Sequence, residues 1–511
     1  MTRRPALLLA FAWLLLALVH LRPWRLSNGY VYLGDDRVYL AHLSTLVIDH
    51  DLDYSNEQVG SYALYPAGSS LLALPGYVAG YTADRLMHRA DALRSSRDYS
   101  NTWTIVGYLV NQQVLVVMGL ALLFWFLRTV LKVDNPSAII ATVLVMTSHL
   151  ALYAFRRPMA HDGQFFVTAL FTAWYFYALR RTPQTIAQVA AGAALAAAVM
   201  LVRWDNAPLA VLGALVFVCP GLRGEKVRVL PLGLYVLLCS VFFWIIQGPI
   251  WWGQFHSLWP YSSGHMAIVT GRLSQPTGWQ NLRFLFHALW GADFGLLWTA
   301  PVIVLGLLAS FPALRRLLAD IRPPYRDPLI FVHVLLIFGV SFFQVMKWRT
   351  QASYYGYRYL MACLAPSAVF VAVALQSRRW LSAVAIVGIG VGVLTALPFE
   401  GNADTLTLTM DRNAYGGEGW MNNRYAVHAW TALGHPSTFG RALAAGPLGV
   451  PAGLFYAQAA PEDVPAFARP LRAKFSAFQT PSQRRYVGIA TVLLLLPALL
   501  FWWPFGRVLN A

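Results

Sequence analysis

The sequence predicts an all-α polytopic membrane protein with about twelve transmembrane helices. Of its 511 residues, 58% are hydrophobic and only 12% are charged, whereas soluble proteins carry about a quarter of their residues as charged side chains. The mean hydropathy is +0.51, and apolar stretches of about 17 to 25 residues recur along the chain. This composition excludes an ordinary cytosolic enzyme and a disordered chain. With only three cysteines, it also excludes a disulfide-rich scaffold.

Twelve apolar stretches are predicted as membrane spans, and none of them contains Asp, Glu, Lys or Arg. In chain order they are 5–21, 103–127, 137–155, 164–179, 185–202, 208–220, 229–250, 294–314, 329–346, 359–375, 381–397 and 486–503.

The distribution of charge predicts which loops share a side of the membrane. With a cytoplasmic N-terminus, the inner loops hold 16 of the 39 Lys and Arg residues but only four of the 22 acids. Cytoplasmic loops are enriched in this way. The net charge of +17 is therefore a topology signal, and we expect no nucleic-acid partner.

The chain divides into a transmembrane core over 1–397, an outer cap segment over 398–485, and a last span with a cytoplasmic tail over 486–511. Within the core, the outer loops at 22–102 and 251–293 are long. The first of them includes the apolar segment 62–80, whose Pro66 and Pro75 favour a membrane-grazing helix or hairpin over a thirteenth span. The first span is predicted to be an uncleaved anchor.

An acidic pair lies just beyond the first span, where Asp35 and Asp36 precede Arg37 and Tyr39. Two neighbouring carboxylates beside an arginine can supply one ionised base and one orienting group. The alternative interpretation is a solvated turn.

A second polar motif lies between the third and fourth spans, where His161 and Asp162 follow a pair of arginines. Cations in outer loops run against the usual charge bias, and such cations recur at the mouths of several spans. Because guanidinium groups suit phosphate oxygens, they could converge on an anionic headgroup. Pairing with nearby acids is the alternative. The candidate cations are Arg156, Arg157, Arg203, Lys347, Arg349 and Arg358.

Residues 49–57 alternate oxygen-bearing side chains and superficially resemble a calcium loop, without its central glycine or its spacing. A helix cap or solvated turn is the favoured interpretation, with a bound divalent cation as the alternative. The sequence contains no zinc, dinucleotide or nucleotide-binding motif, so no cofactor and no metal are expected to be required.

These motifs together resemble the GT-C superfamily of polytopic glycosyltransferases, in particular the protein O-mannosyltransferases and the lipid A aminoarabinose transferases. In that superfamily an acidic pair precedes a tyrosine in the first outer loop, as Asp35 and Asp36 precede Tyr39 here. Tyr65, before a proline, matches a downstream helix entry, and His161-Asp162-Gly163 matches a further acidic loop. The segment around Arg358 resembles a late Arg-Tyr signature.

The resemblance implies transfer of a sugar, with inversion, from a polyprenyl-phosphate carrier to a hydroxyl of a glycan, lipid or protein acceptor. Asp35 would be the general base, and Asp36 or Asp162 would orient the acceptor or stabilise positive charge. The six cations would neutralise the leaving phosphate, with Arg37, Tyr39, Tyr65 and His161 near the acceptor. The expected location is a bacterial inner membrane, among membrane lipids, with the site facing the periplasm.

Two other functions stay open from the sequence. A lipid or solute transporter or flippase would place ionisable residues inside the membrane, whereas here the charges lie at one face. A noncatalytic assembly subunit would use the long outer segments to bind partners.

Overall fold

The computed structural model describes residues 4–30, 35–57, 65–87, 93–94, 96–156, 161–181, 185–258, 285–286, 288–291, 295–348, 358–397, 433–434, 437–465 and 468–501. Within helices, the side chains at 35–36, 344, 346–348, 358–359, 437–438 and 441 are not described. The described chain is all helical and contains no strand.

The helices of the first half are α1 Arg4–His20, α2 Asp35–Ser44, α3 Gly68–Leu86, α4 Trp103–Thr129, α5 Asn135–Met146, α6 His149–Arg156, α7 His161–Arg180, α8 Ile186–Val202, α9 Ala207–Arg223 and α10 Val229–Phe255. Those of the second half are α11 Leu296–Thr299, α12 Pro301–Leu317, α13 Pro323–Val334, α14 Val340–Trp348, α15 Leu364–Ser377, α16 Leu381–Ala396, α17 Ser437–Ala445, α18 Val450–Tyr456, α19 Arg469–Phe475 and α20 Pro481–Leu495.

Six helical stretches of the described chain are long and apolar enough to cross a membrane, or seven if a bent pair forms one span. Three shorter apolar helices, α1, α8 and α16, add to these. The fold class is therefore as predicted, while the count of about twelve spans stays a prediction.

The bent pair is the predicted third span, which divides into α5 and α6 with a bend of 53°. The break falls at Thr147 and Ser148. The Thr147 hydroxyl donates to the Val143 carbonyl and the Ser148 hydroxyl to the Val145 carbonyl. Side chains that bond to the backbone in this way compete with helix continuation, and they explain a break that hydropathy does not register.

Loops predicted to be cytoplasmic meet at one end of the helical bundle. Arg180 Nη1 donates to the Val130 carbonyl at 3.1 Å, and Gln376 Nε2 donates to the Lys132 carbonyl at 3.3 Å. Nearby, Arg223 forms an ion pair with Asp320 at 2.5 Å. We refer to this end as the inner face.

The predicted outer loops meet at the opposite end. Arg156 Nε donates to the His20 carbonyl at 3.2 Å, Tyr486 Oη donates to the Thr102 carbonyl at 2.7 Å, and Asn101 donates its backbone N–H to Leu26. The grouping of loops by charge is thus reproduced by their contacts.

Of the apolar segment 62–80, residues 68–80 lie in one helix, α3, which continues to Leu86 and packs lengthwise along α4. Gly76 and Gly107 permit the close approach, because a Cβ built on Gly76 would lie 2.3 Å from the Gly107 carbonyl oxygen. At the end of α3, the buried Asp84 carboxyl accepts bonds of 3.0 Å from Trp103 N, 2.7 Å from Thr104 N and 2.7 Å from Thr104 Oγ1. These bonds satisfy donors that the first turn of α4 would otherwise leave unpaired.

The described part of the cap segment packs against the outer end of α1. The fully buried Arg22 donates from Nη1 to the Val19 carbonyl at 2.7 Å and to the Ala442 carbonyl of α17 at 3.4 Å. An apolar contact among Val19, Leu397 and Ala442 lies beside it. The cap segment is therefore anchored on the core, at its outer face.

Candidate functional site

The N-terminus of α3 is the point at which three predicted site segments meet. Ser70 Oγ donates to the Tyr39 carbonyl of α2 at 2.8 Å. A Cβ built on Gly163 of α7 would lie 3.2 Å from an α3 side chain, and one built on Gly68 would lie 2.5 Å from the backbone of Leu201 in α8. The structure thus brings together the acidic segment of α2, the start of α7 and the end of α8.

Helix α2 begins at Asp35, so the acidic pair occupies its first turn, where negative charge is favourable. One turn later the Tyr39 ring stacks on Tyr65, with centroids 5.4 Å apart and planes at 25°. Arg37 keeps its buried Nε without a hydrogen-bond partner among the described residues. The acidic pair, Tyr39 and Tyr65 therefore belong to one local unit, although the carboxylates themselves lie outside the described side chains.

His42 holds α2 in place, and the sequence analysis missed it. Its Nε2 lies 3.0 Å from the Tyr65 carbonyl and its Nδ1 lies 2.7 Å from Tyr54 Oη. Since a carbonyl can only accept, Nε2 carries the proton and Nδ1 accepts from the tyrosine. Burial lowers the pKa of His42 to about 4. The signal that could have found it is its position three residues after Tyr39, on the same helical face.

Asp162 is the most unusual residue of this region. It is 0% exposed, and neither carboxyl oxygen has a hydrogen-bond partner among the residues that the structure describes. Its neighbour His161 lies 3.3 Å from Gln164 Oε1 through Nδ1, and the Tyr153 ring lies 4.5 Å from the His161 ring. Buried polar groups are normally hydrogen-bonded, so a buried carboxyl without a hydrogen-bond partner among the described residues requires a functional explanation.

The start of α7 is recessed from the outer face. A Cβ built on Gly119 would lie 2.9 Å from the Phe165 ring, so α7 begins beside the middle of α4. Gly119 is about 24 Å along the helix axis from Trp103, where α4 starts, at 1.5 Å per residue. Asp162 therefore lies between the start of α3 and the middle of α4, below the outermost loops.

Arg203 and Arg156 are the two candidate cations whose side chains are described. Arg203 Nε lies 2.9 Å from Asp205 Oδ1, and its Nη2 lies 3.1 Å from Oδ2. This forked pair is the alternative that the sequence left open, and it reduces the charge that Arg203 can offer a phosphate. Arg156 donates to the end of α1 instead.

The remaining candidate cations are less fully placed. Arg157 and Arg349 lie outside the described residues, and Lys347 and Arg358 are described only by their helical backbone. Arg358 begins a turn of helix at Arg358–Cys363 that packs against α7. The late Arg-Tyr segment is therefore adjacent to the helix that carries Asp162.

The segment resembling a calcium loop is held by an arginine. Arg97 pairs with Asp49 and lies 3.5 Å from Glu57, while Ser44 and Thr45 donate to Glu57 at 2.5 and 3.1 Å. Burial raises the pKa of Glu57. Among the described residues, no group of three His, Cys, Asp or Glu side chains could hold a metal ion. The ring of contacts ties the end of α2 to the segment before α4.

An apolar groove lies at the outer end of α10, beside the site. Its cavity volume is about 700 Å³, and it is lined by Leu52, Trp244, Gly248, Pro249, Trp252, Gly253 and Leu258. On the same helix, Trp251 packs on Trp204, with ring centroids 5.0 Å apart. Trp204 directly follows Arg203 in the chain, so this contact places Arg203 near α10.

No family model matches this chain, and neither does any curated protein. Among solved structures, it is similar to ArnT from Cupriavidus metallidurans in the apo state, with a TM-score of 0.43, 13% identity, and coverage of 96% of this chain and 75% of that one. It is also similar to the Archaeoglobus fulgidus oligosaccharyltransferase in complex with Zn and sulfate, with a TM-score of 0.39, 13% identity, and coverage of 94% of this chain and 58% of that one. Likeness at this level leaves the chemistry of the site to its own residues.

Proposed function

We propose that this protein is a membrane glycosyltransferase of the GT-C type, which moves a sugar from a polyprenyl-phosphate carrier to an acceptor hydroxyl. The observation that carries the proposal is the fully buried Asp162 carboxyl, which lacks any partner among the described residues and sits where α2, α3, α7 and α8 meet. A buried carboxyl without a protein partner is available to a ligand, as a group acting on a substrate is.

In the proposed reaction the acceptor oxygen attacks the anomeric carbon as the bond from that carbon to the phosphate oxygen breaks. Asp35 takes the acceptor proton, and polyprenyl phosphate leaves with the bonding electrons. Asp36 or Asp162 orients the acceptor or stabilises the positive charge that develops on the sugar ring. Since attack and departure occur on opposite faces of that carbon, its configuration is inverted.

The leaving phosphate requires positive charge at the same place. Arg358 begins a helical turn that packs against α7, and Lys347 lies near the end of α14. Arg203 lies near α10, with part of its charge already neutralised by Asp205. The groove at Trp244 and Trp252 is proposed to hold the isoprenoid chain. The site then faces the periplasm of a bacterial inner membrane, with a glycan, lipid or protein as acceptor and with no cofactor required.

The test is transfer by the purified full chain from a panel of labelled polyprenyl-phosphate sugars. Asp35→Asn and Asp162→Asn are each expected to reduce the rate by at least ~10²-fold, which is typical for loss of an acid–base group. Asp51→Asn is the matched control, because Asp51 is exposed and serves a local turn. Near-normal turnover by Asp35→Asn would remove Asp35 as the base.

Measurements of donor binding distinguish the proposed role of the cations from that of the carboxylates. Arg358→Ala is expected to weaken binding of polyprenyl phosphate, whereas Asp35→Asn should leave it unchanged. Equal donor affinity in wild type and in both Arg203→Ala and Arg358→Ala would contradict the phosphate role.

One observation favours the second candidate, a transporter or flippase. The bent pair α5 and α6, with a bend of 53°, is a broken helix next to a buried carboxyl, and broken helices line the substrate sites of many carriers. Assays in proteoliposomes distinguish the carrier from the enzyme. Movement of a lipid-linked sugar across the bilayer without transfer would support the carrier, and transfer without movement would support the enzyme.

A further inference from the structure

A second cavity lies at the inner face, far from the site described above. It is enclosed by the ends of α12 and α15 and by the start of α16, and its volume is about 210 Å³. Leu305, Leu308 and Pro312 of α12 form one wall, and Val371 and Leu375 of α15 form another. Leu308 is 61% exposed at its mouth. The cavity is therefore an apolar slot that opens toward the hydrocarbon region.

Positive charge surrounds the opening of this slot. Arg378 lines it directly, and Arg379 follows in the three-residue connection between α15 and α16; both are exposed. Neither side chain has a hydrogen bond or an ion pair among the described residues, in contrast to Arg315, which pairs with Asp327 at 3.3 Å. The residues that line the cavity include no acid. The two guanidinium groups are thus available to an anion from outside the chain.

The third residue of the connection is Trp380, which lines the cavity and is 63% exposed. Tryptophan favours the level of lipid headgroups, where its ring is half in hydrocarbon and its N–H is in a polar layer. Gln376, one turn earlier, contacts the Lys132 loop of the inner face. The slot, the Trp380 ring and the arginines therefore follow the same order as the acyl chain, the interfacial region and the headgroup phosphate of a phospholipid.

We propose that this is a binding site for an anionic phospholipid of the bilayer, with an acyl chain in the slot and the headgroup phosphate on Arg378 and Arg379. The charges and the apolar depth match both parts of one molecule, whereas a soluble phosphate would leave the slot unfilled. The site does not depend on the transferase proposal, since it lies at the opposite face.

The experiment is native mass spectrometry of the full protein in detergent, titrated with phosphatidylglycerol or with phosphatidylcholine of the same acyl chains. Wild type is expected to bind phosphatidylglycerol about 25-fold more tightly than phosphatidylcholine. The double variant Arg378→Gln/Arg379→Gln should lose that preference, because each arginine near a headgroup contributes about a factor of five. Ala309→Leu, which fills the slot, should weaken both lipids while the arginines remain.

The matched control is Arg180→Gln/Arg181→Gln, another exposed arginine pair on the same face that is not part of the lining of this slot. It should bind phosphatidylglycerol as wild type does. Equal loss in this control would show a diffuse charge effect and overturn the proposal. So would equal affinity of wild type for the two lipids, or unchanged binding by the folded Ala309→Leu variant.

Discussion

Two aspartates, Asp84 and Asp162, are both fully buried but differ in what surrounds them, and this difference makes a sharp prediction about stability. Asp84 accepts three hydrogen bonds from the first turn of α4. Asp162 has no hydrogen-bond partner among the described residues. Replacing each by alanine should therefore change the free energy of unfolding in opposite directions.

The magnitudes follow from the number of bonds. A hydrogen bond contributes about 1 kcal/mol net, so Asp84→Ala should destabilise the protein by about 3 kcal/mol. An unsatisfied buried polar group costs about 1–3 kcal/mol. Asp162→Ala removes two such acceptors and leaves a small cavity, so it should stabilise the protein by about 1 kcal/mol.

The assay is unfolding of purified protein in detergent, followed by tryptophan fluorescence, together with transfer activity on the same samples. Asp162→Ala should be at least as stable as wild type and inactive, which is the expected pattern for a site residue. Asp84→Ala should be less stable, and its remaining folded fraction should be active. A loss of stability in Asp162→Ala as large as that in Asp84→Ala would show that Asp162 serves the fold, and would refute the assignment.

Two further predictions concern the anchoring of α2 and the groove. The pKa of His42 is lowered from 6.5 to about 4, so only the unfolded form binds the proton between these values; anchoring is complete above pH 6.5 and weakens by about 3 kcal/mol as the pH falls toward 4. The protection factors of the α2 amides, which correct for the intrinsic exchange rate at each pH, should fall over that range in wild type, and their pH dependence should vanish in His42→Gln. In the groove, Gly248→Leu should raise KM for the lipid donor several-fold at nearly constant kcat, because it removes binding that substrate and transition state share. A change confined to kcat would exclude the groove as the binding site of the isoprenoid. The control is Gly233→Leu on the same helix, because a Cβ built on Gly233 meets open space.

Local sequence patterns were sufficient to predict the positions of most helices. The span predicted at 103–127 is Trp103–Thr129, and the one predicted at 185–202 is Ile186–Val202. The sorting of loops by charge also agrees with their contacts at the two faces. These properties depend on the hydropathy of consecutive residues and on the signs of nearby charges, both of which are visible in a single stretch of chain.

The sequence predicted which segments carry the candidate site residues, but it did not predict how their side chains pair. The motifs containing Asp35, Tyr39 and Asp162 do come together around α3. By contrast, nothing in the sequence indicated that Arg97 would neutralise the carboxylates of the segment resembling a calcium loop. Arg203 had two open interpretations, and the contact with Asp205 supplies the one that the described side chains show.

What the sequence by itself determined is the helical membrane class, the bounds of many helices and the residue types available for chemistry. Only the tertiary structure decided that Asp84 caps a helix while Asp162 has no hydrogen-bond partner among the described residues, and that an arginine pair borders an apolar slot at the inner face. The reason is that hydropathy accumulates along consecutive residues, whereas a hydrogen bond or an ion pair requires two groups within about 3 Å, whatever their separation in the chain.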